Sequence, residues 1–99
     1  MADQPVFAIA VEVSTSLQRD QIQSFIKKEA DSWWHGLADV WLVTGKTAAE
    51  WRNSLDVFFP GKGSGSVLVL KVDPGTSGVW AWRSWSFTES QKQWLKENL

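Results

Sequence analysis

Glu12, in the stretch VFAIAVEV over residues 6–13, is the first residue whose type and placement could do chemistry. Side chains alternate across a strand, so Phe7, Ile9, Val11 and Val13 share one face and Val6, Ala8, Ala10 and Glu12 the other. A carboxylate near the strand's C-terminal end, on the less bulky face, could ligate Mg2+ or Mn2+, above all if two copies met across a dimer axis. The plainer expectation is a solvated edge carboxylate, or one paired with Arg83 or Lys71, and that expectation is favoured. His35 is the only histidine, so it builds neither a His-rich metal site nor a Ser–His–Asp constellation, and a structural or surface role is expected. TGKT at 44–47 stands between a strand and a helix, where a phosphate loop would stand. The glycine such a loop needs five residues before the GK pair is Val40, so Thr47 reads as a helix cap. GKGSGS at 61–66 runs from helix into strand, the reverse of a phosphate cradle, and reads as a linker.

Tryptophan is the compositional anomaly: eight residues, with no tyrosine. Each ring can bury ~150–250 Å², and several left wet together would approach the ~300–600 Å² maximum of a monomer's apolar patch. Most must therefore be covered. GVWAWRSWSF at 78–87 concentrates three of them. As a strand it sets Trp80 and Trp82 on one face and Arg83 on the other, with Trp85 at the exit. Trp80, Trp82 and Arg83 form a candidate binding or interface surface. Trp80 and Trp82 would stack single strands or glycans if open, since base–aromatic stacking is worth ~1–3 kcal/mol per base. Under a partner chain or the final helix, they would cover a sheet face.

Bulk properties narrow the classes. Ninety-nine residues make a single domain, 1–99, with 43% hydrophobic and 21% charged residues. No cysteine is present, which excludes disulfides, a thiol nucleophile and thiolate metal sites. Ten basic residues against eleven acidic ones argue against strong nonspecific nucleic-acid binding. MADQPVF lacks a basic region followed by an apolar run, and no apolar run nears the ~20 residues of a membrane span. A cytoplasmic protein with no membrane partner is expected.

The elements that must position these residues follow from period and punctuation. Thr15 and Gln18 have capping-box spacing. Leu17, Ile22, Phe25, Ile26, Ala30 and Trp33 continue one helical stripe, which predicts a helix ending in the WWHG stretch. Residues 38–44 read as a strand, with a short strand before it around WWHGL. Asp39, Trp41 and Val43 lie on one side of this strand. Thr47 and Glu50 box a second helix carrying Ala48, Trp51 and Leu55, which Pro60–Gly61 stops. SVLVLKV at 66–72 is apolar on both faces, as in a central strand. Thr88 and Gln91 box a C-terminal helix with Trp94, Leu95 and Leu99. This order predicts an α+β, ferredoxin-like βαββαβ sandwich with an extra strand and a C-terminal helix. In that layout both helices cover one sheet face. The other face, being apolar too, needs the final helix or a second copy of the chain.

FAIAVEV, WWHGLADVWLVTGKTAAEWRNSL and SVLVLKV, followed by a Trp-bearing strand, resemble the small CRISPR-associated Cas-two-like proteins and their SinR-like and VapD-like relatives, over roughly residues 6 to 82. That family's first strand ends in Tyr-Asp, and here Val11 and Glu12 stand at those places. The serine before its Val-Phe falls on Asp39, and the aromatic on Trp41. The resemblance implies a ferredoxin-like homodimer packed through its sheets. Some members are metal-dependent nucleases using the strand-end aspartate of each chain; others act as scaffolds. Glutamate lengthens the ligand arm by one methylene, enough to displace a metal by more than the ~0.5 Å tolerance of a working site. The leading expectation is thus a small homodimeric interaction or assembly module, with nucleic acid a partner that the charge does not support. A Mg- or Mn-dependent endonuclease using Glu12 and Asp39 is the first alternative, and an aromatic-platform binder the second.

Overall fold

The computed structural model describes residues 5–61, 63–72 and 86–99. Its elements are β1 (Val6–Val13), α1 (Ser16–Glu29), β2 (Ser32–Leu37), β3 (Val40–Thr44), α2 (Ala48–Leu55) with a 3-10 turn (Asp56–Phe58), β4 (Gly65–Val72) and α3 (Glu89–Asn98). The strands form one antiparallel sheet in the order β2-β3-β1-β4. Each long crossover therefore skips one strand: α1 joins β1 to β2 around β3, and α2 joins β3 to β4 around β1. The domain is an α+β fold. The predicted extra strand around Trp80 lies outside the described residues.

Alternation along β1 decides which face is core. Phe7 and Ile9 meet Trp41 and Val43 of β3, and Ile22 and Ile26 of α1 close over them with Trp51 and Leu55 of α2. Trp41 and Trp51 are the largest fully buried side chains. At ~25 cal/mol per Å², an indole burying ~150–250 Å² contributes about 4–6 kcal/mol as an upper bound. Phe25 packs edge-on to both Trp51, at 6.1 Å between ring centres, and Phe58, at 5.7 Å, which ties α1 to α2 and the turn after it.

One expectation shifts. α1 stops at Glu29, and Trp33 belongs to β2, opposite Val43. The apolar stripe runs past the true end because Trp33 satisfies both the helical period and the strand's. Pairing of SWWHGL with VWLVT, begun by the Asp31 N–H donating to the Thr44 carbonyl at 3.0 Å, outweighs local helix preference. β4, expected to be central, pairs with β1, and the strand expected to follow it lies outside the described residues.

The caps behave as their spacing predicts, with one variation. Thr47 and Glu50 form a reciprocal box at α2, and Thr88 and Gln91 another at α3. At α1 the Thr15 hydroxyl accepts from the Gln18 N–H, but the Gln18 side chain turns elsewhere: its Oε1 accepts from the Ser14 N–H at 2.8 Å. Its amide nitrogen donates to the Phe58 carbonyl at 2.7 Å and to the Ser64 carbonyl at 2.8 Å. Buried Gln18 thus fastens the loop after α2 to the start of α1.

Glu50 gives a pH prediction. The hydrogen bond from the Thr47 backbone N–H, then the one involving the Thr47 side chain, hold its carboxyl below the ordinary value. A depressed carboxyl stabilises the fold above the unfolded pKa and loses that contribution as pH falls through the folded value. Thermal melting from pH 7 to pH 3 should therefore fall more steeply in the wild type than in Glu50→Gln, whose amide still accepts the hydrogen bond but does not titrate. Parallel pH profiles would contradict this.

Candidate interaction surface

The sheet face away from α1 and α2 is unevenly covered. In antiparallel pairing, residues directly opposite share a face, so Ala8 with Leu70, Ala10 with Leu68, and Glu12 with Ser66 form cross-strand pairs on this side. Ala8 also faces Leu42 of β3, and Leu42 faces Trp34 of β2. Over β2 the face is closed. Trp34 is 5% exposed, Phe87 packs edge-on to it at 5.1 Å between ring centres, and α3 lies beside it with Leu95 buried. Gly36 makes room for this: a Cβ there would stand 2.3 Å from Cζ2 of Trp34. Over β4 the face is open. Leu68 is 56% exposed and Leu70 45%.

The C-terminal helix is thus a partial lid, placed at the β2 end. What stands open is a pair of leucines on β4 flanking the small alanines of β1. Such a surface is a shallow relief, leucine ridges beside alanine hollows. One hollow of ≈ 250 Å³ lies between Ala10 and Leu68 and reaches Glu12 and Ser66.

Glu12 is exposed on this open face. Asp39 stands at the same end of the sheet, where its carbonyl accepts from the Val11 N–H at 2.9 Å, but its carboxylate goes to the helical side. There Arg19 Nε donates to Asp39 Oδ1 at 2.5 Å, a bond that raises the Arg19 pKa. The two carboxylates named as a candidate catalytic and metal pair therefore point to opposite sides of the sheet. Among the described residues no three His, Cys, Asp or Glu side chains gather in a group that could hold a metal ion. Trp80, Trp82 and Arg83, the candidate binding residues, lie outside the described residues.

Other residues of chemical interest have structural partners. His35 stacks on Trp41 with ring centres 4.5 Å apart, and its Nε2 donates to the Ala38 carbonyl at 2.9 Å. Lys46 of TGKT pairs with Glu29 at 3.3 Å and lies 6.0 Å from the Trp51 ring centre, holding the end of α1 to the start of α2. The indole N–H groups of Trp34, Trp41, Trp51 and Trp94 are enclosed and meet no acceptor among the described residues. Those rings serve as apolar mass; their donors are too enclosed to present to a ligand. The spacing of Gln18 from Thr15 announces a capping box and not this clamp, because its carbonyl partners lie 40 and 46 residues away with no local pattern to mark them.

Fold and surface together define a small α+β domain, a four-stranded antiparallel sheet with three helices, in which one face of the sheet stands partly open and apolar. Comparison of the chain with protein-family models, with characterised proteins and with solved structures finds no match. Among the described residues no helix is long and apolar enough to cross a membrane.

Proposed function

We propose that the protein is a small homodimeric interaction module, ferredoxin-like in fold and Cas-two-like in kinship, whose copies meet through the open sheet face. The strand order β2-β3-β1-β4 with two crossovers on one face is the arrangement a ferredoxin-like sandwich requires, and it supports the fold reading. The observation that carries the dimer is the exposed pair Leu68 and Leu70 beside Ala8 and Ala10. Small residues let a second sheet approach to the usual ~10 Å, and leucines of one copy can then fill alanine hollows of the other. A two-fold axis makes such a contact self-complementary, because each patch holds both ridge and hollow. Glu12 and Ser66 at the margin supply the polar rim that interfaces carry.

The test is sedimentation equilibrium at micromolar concentration. The wild type should sediment as a dimer. Leu68→Lys with Leu70→Lys should sediment as a folded monomer, because lysine stems fit an exposed strand while two like charges in each patch repel across the axis. A monomeric wild type, or a double variant that stays dimeric, would contradict the reading.

A further inference from the structure

We propose that the groove between α1 and the 3-10 turn docks a short peptide segment of another protein, one carrying aliphatic side chains and a lysine or arginine. This site is on the helical side of the domain and does not depend on the sheet-face reading.

Three observations carry it. First, the groove is apolar in part and wet: Leu17 is 64% exposed and Val57 73%, and with Phe58 they line a wide-mouthed hollow of ≈ 600 Å³. That volume lies within the ~300–1,000 Å³ of small-ligand pockets. A second hollow shares Leu17, Val57 and Phe58 and continues to Pro60 and Ser64. The joined shape is a trough running from α1's third turn past its N-terminus, which suits an extended or helical segment better than a compact molecule. From Leu17 to Ser24 alone it covers about 10 Å of helix at ~1.5 Å per residue.

Second, the floor is already fixed. Gln18 holds the Phe58 and Ser64 carbonyls at 2.7 and 2.8 Å, and Phe25 packs edge-on to the Phe58 ring. A trough built in advance loses little conformational freedom when filled, which is the condition for useful affinity from a small contact.

Third, the charge is one-signed. Asp20 is the charged residue lining the trough, it is exposed, and it makes no ion pair among the described residues. Its neighbour Arg19 is turned to Asp39. An occupant with aliphatic groups for Leu17, Val57 and Phe58 thus gains from a cation one helical turn further on.

The experiment is an amide NMR titration of the ¹⁵N-labelled chain with two acetylated decapeptides. Both carry leucines four residues apart; one has a lysine a turn later, the other a glutamate at that place. The lysine peptide should shift the amides of 17–24 and 57–58 and bind roughly threefold to tenfold tighter than the glutamate peptide at low salt. Asp20→Lys should reverse that preference, and Leu17→Ser with Val57→Ser should weaken the lysine peptide by about tenfold. Both replaced side chains are exposed, so that variant should keep its melting temperature; if it does not fold, the Asp20→Lys reversal carries the test alone. Shifts confined to the Leu68–Leu70 face, equal binding of both peptides, or no shift at millimolar peptide would overturn the proposal. So would a change in sedimentation caused by the Leu17 and Val57 substitutions, since the trough would then belong to contacts between copies.

Discussion

Replacing Trp51 with alanine is expected to destabilise the domain by about 3–5 kcal/mol, the range for truncating a buried large aromatic. Trp51 is fully buried, touches Phe25 edge-on, and lies under Lys46 at the junction of α1 and α2. Removing it leaves a cavity that neither helix can collapse into, because α2 is anchored at its start by the Thr47–Glu50 box and beyond its end by Gln18. Against a total of ~5–15 kcal/mol for ordinary domains, that loss is a fifth or more of the whole. Urea unfolding followed by far-ultraviolet circular dichroism reads the change directly. The matching control is Trp33→Ala. Trp33 on β2 is 38% exposed, with Lys27 Nζ 5.2 Å from its ring centre, and its loss should cost less than that of Trp51, about 1–2 kcal/mol. Equal costs for the two substitutions would mean that the helical face is not the core.

Gly65→Ala is the second large effect. Gly65 opens β4 opposite Val13 with φ +120°, a backbone region that L side chains rarely adopt. A Cβ there would also stand 2.2 Å from the Glu12 carbonyl oxygen, which is backbone and cannot swing aside. Strain of ~1–3 kcal/mol from the dihedral alone adds to the displacement of the β1–β4 pairing at its first rung. The expected total is about 3 kcal/mol or more. The consequence reaches past stability, because the register that sets Leu68 beside Ala10 and Leu70 beside Ala8 starts at this rung. Gly65→Ala should therefore weaken self-association along with unfolding free energy. Gly63→Ala is the informative contrast: φ is also positive, +82°, but no atom lies within 4 Å of its Cβ position. It should cost only the dihedral strain of about 1 kcal/mol and leave association intact.

What the sequence tells and what it hides divide along the range of the interactions. Thr47 with Glu50 and Thr88 with Gln91 are three residues apart, and both boxes form as their spacing predicts. β1's alternation identifies the core side of the sheet, because period two is a local geometric fact. The end of α1 was hidden by Trp33, which fits a helical stripe and a strand face equally well until β3 supplies the partner. The exposure on β4 was hidden too: apolar residues on both its sides say that both are to be covered, and not by what. The Gln18 clamp joins positions forty and more apart, and a glutamine at an N-terminal helical turn looks like half a capping box. For the site, Glu12's exposed place on the open face follows from alternation, whereas Asp39's engagement with Arg19 needed the packing of α1 against the β2–β3 turn. The leucines that make the candidate surface were legible as apolar residues. Their exposure, and the stop of the α3 lid at the β2 end, were not.

In the homodimer proposed above, two copies meet through the β1–β4 face. Isotope-filtered nuclear Overhauser measurements on a mixture of ¹³C-labelled and unlabelled chains test it most directly, since only contacts between copies survive the filter. Cross-peaks are expected from the Leu68 and Leu70 methyl groups to Ala8 and Ala10 of the other copy, lost in Leu68→Lys with Leu70→Lys. Cross-peaks confined to Leu17 and Val57, or none at all from a sample that sediments as a monomer, would contradict it.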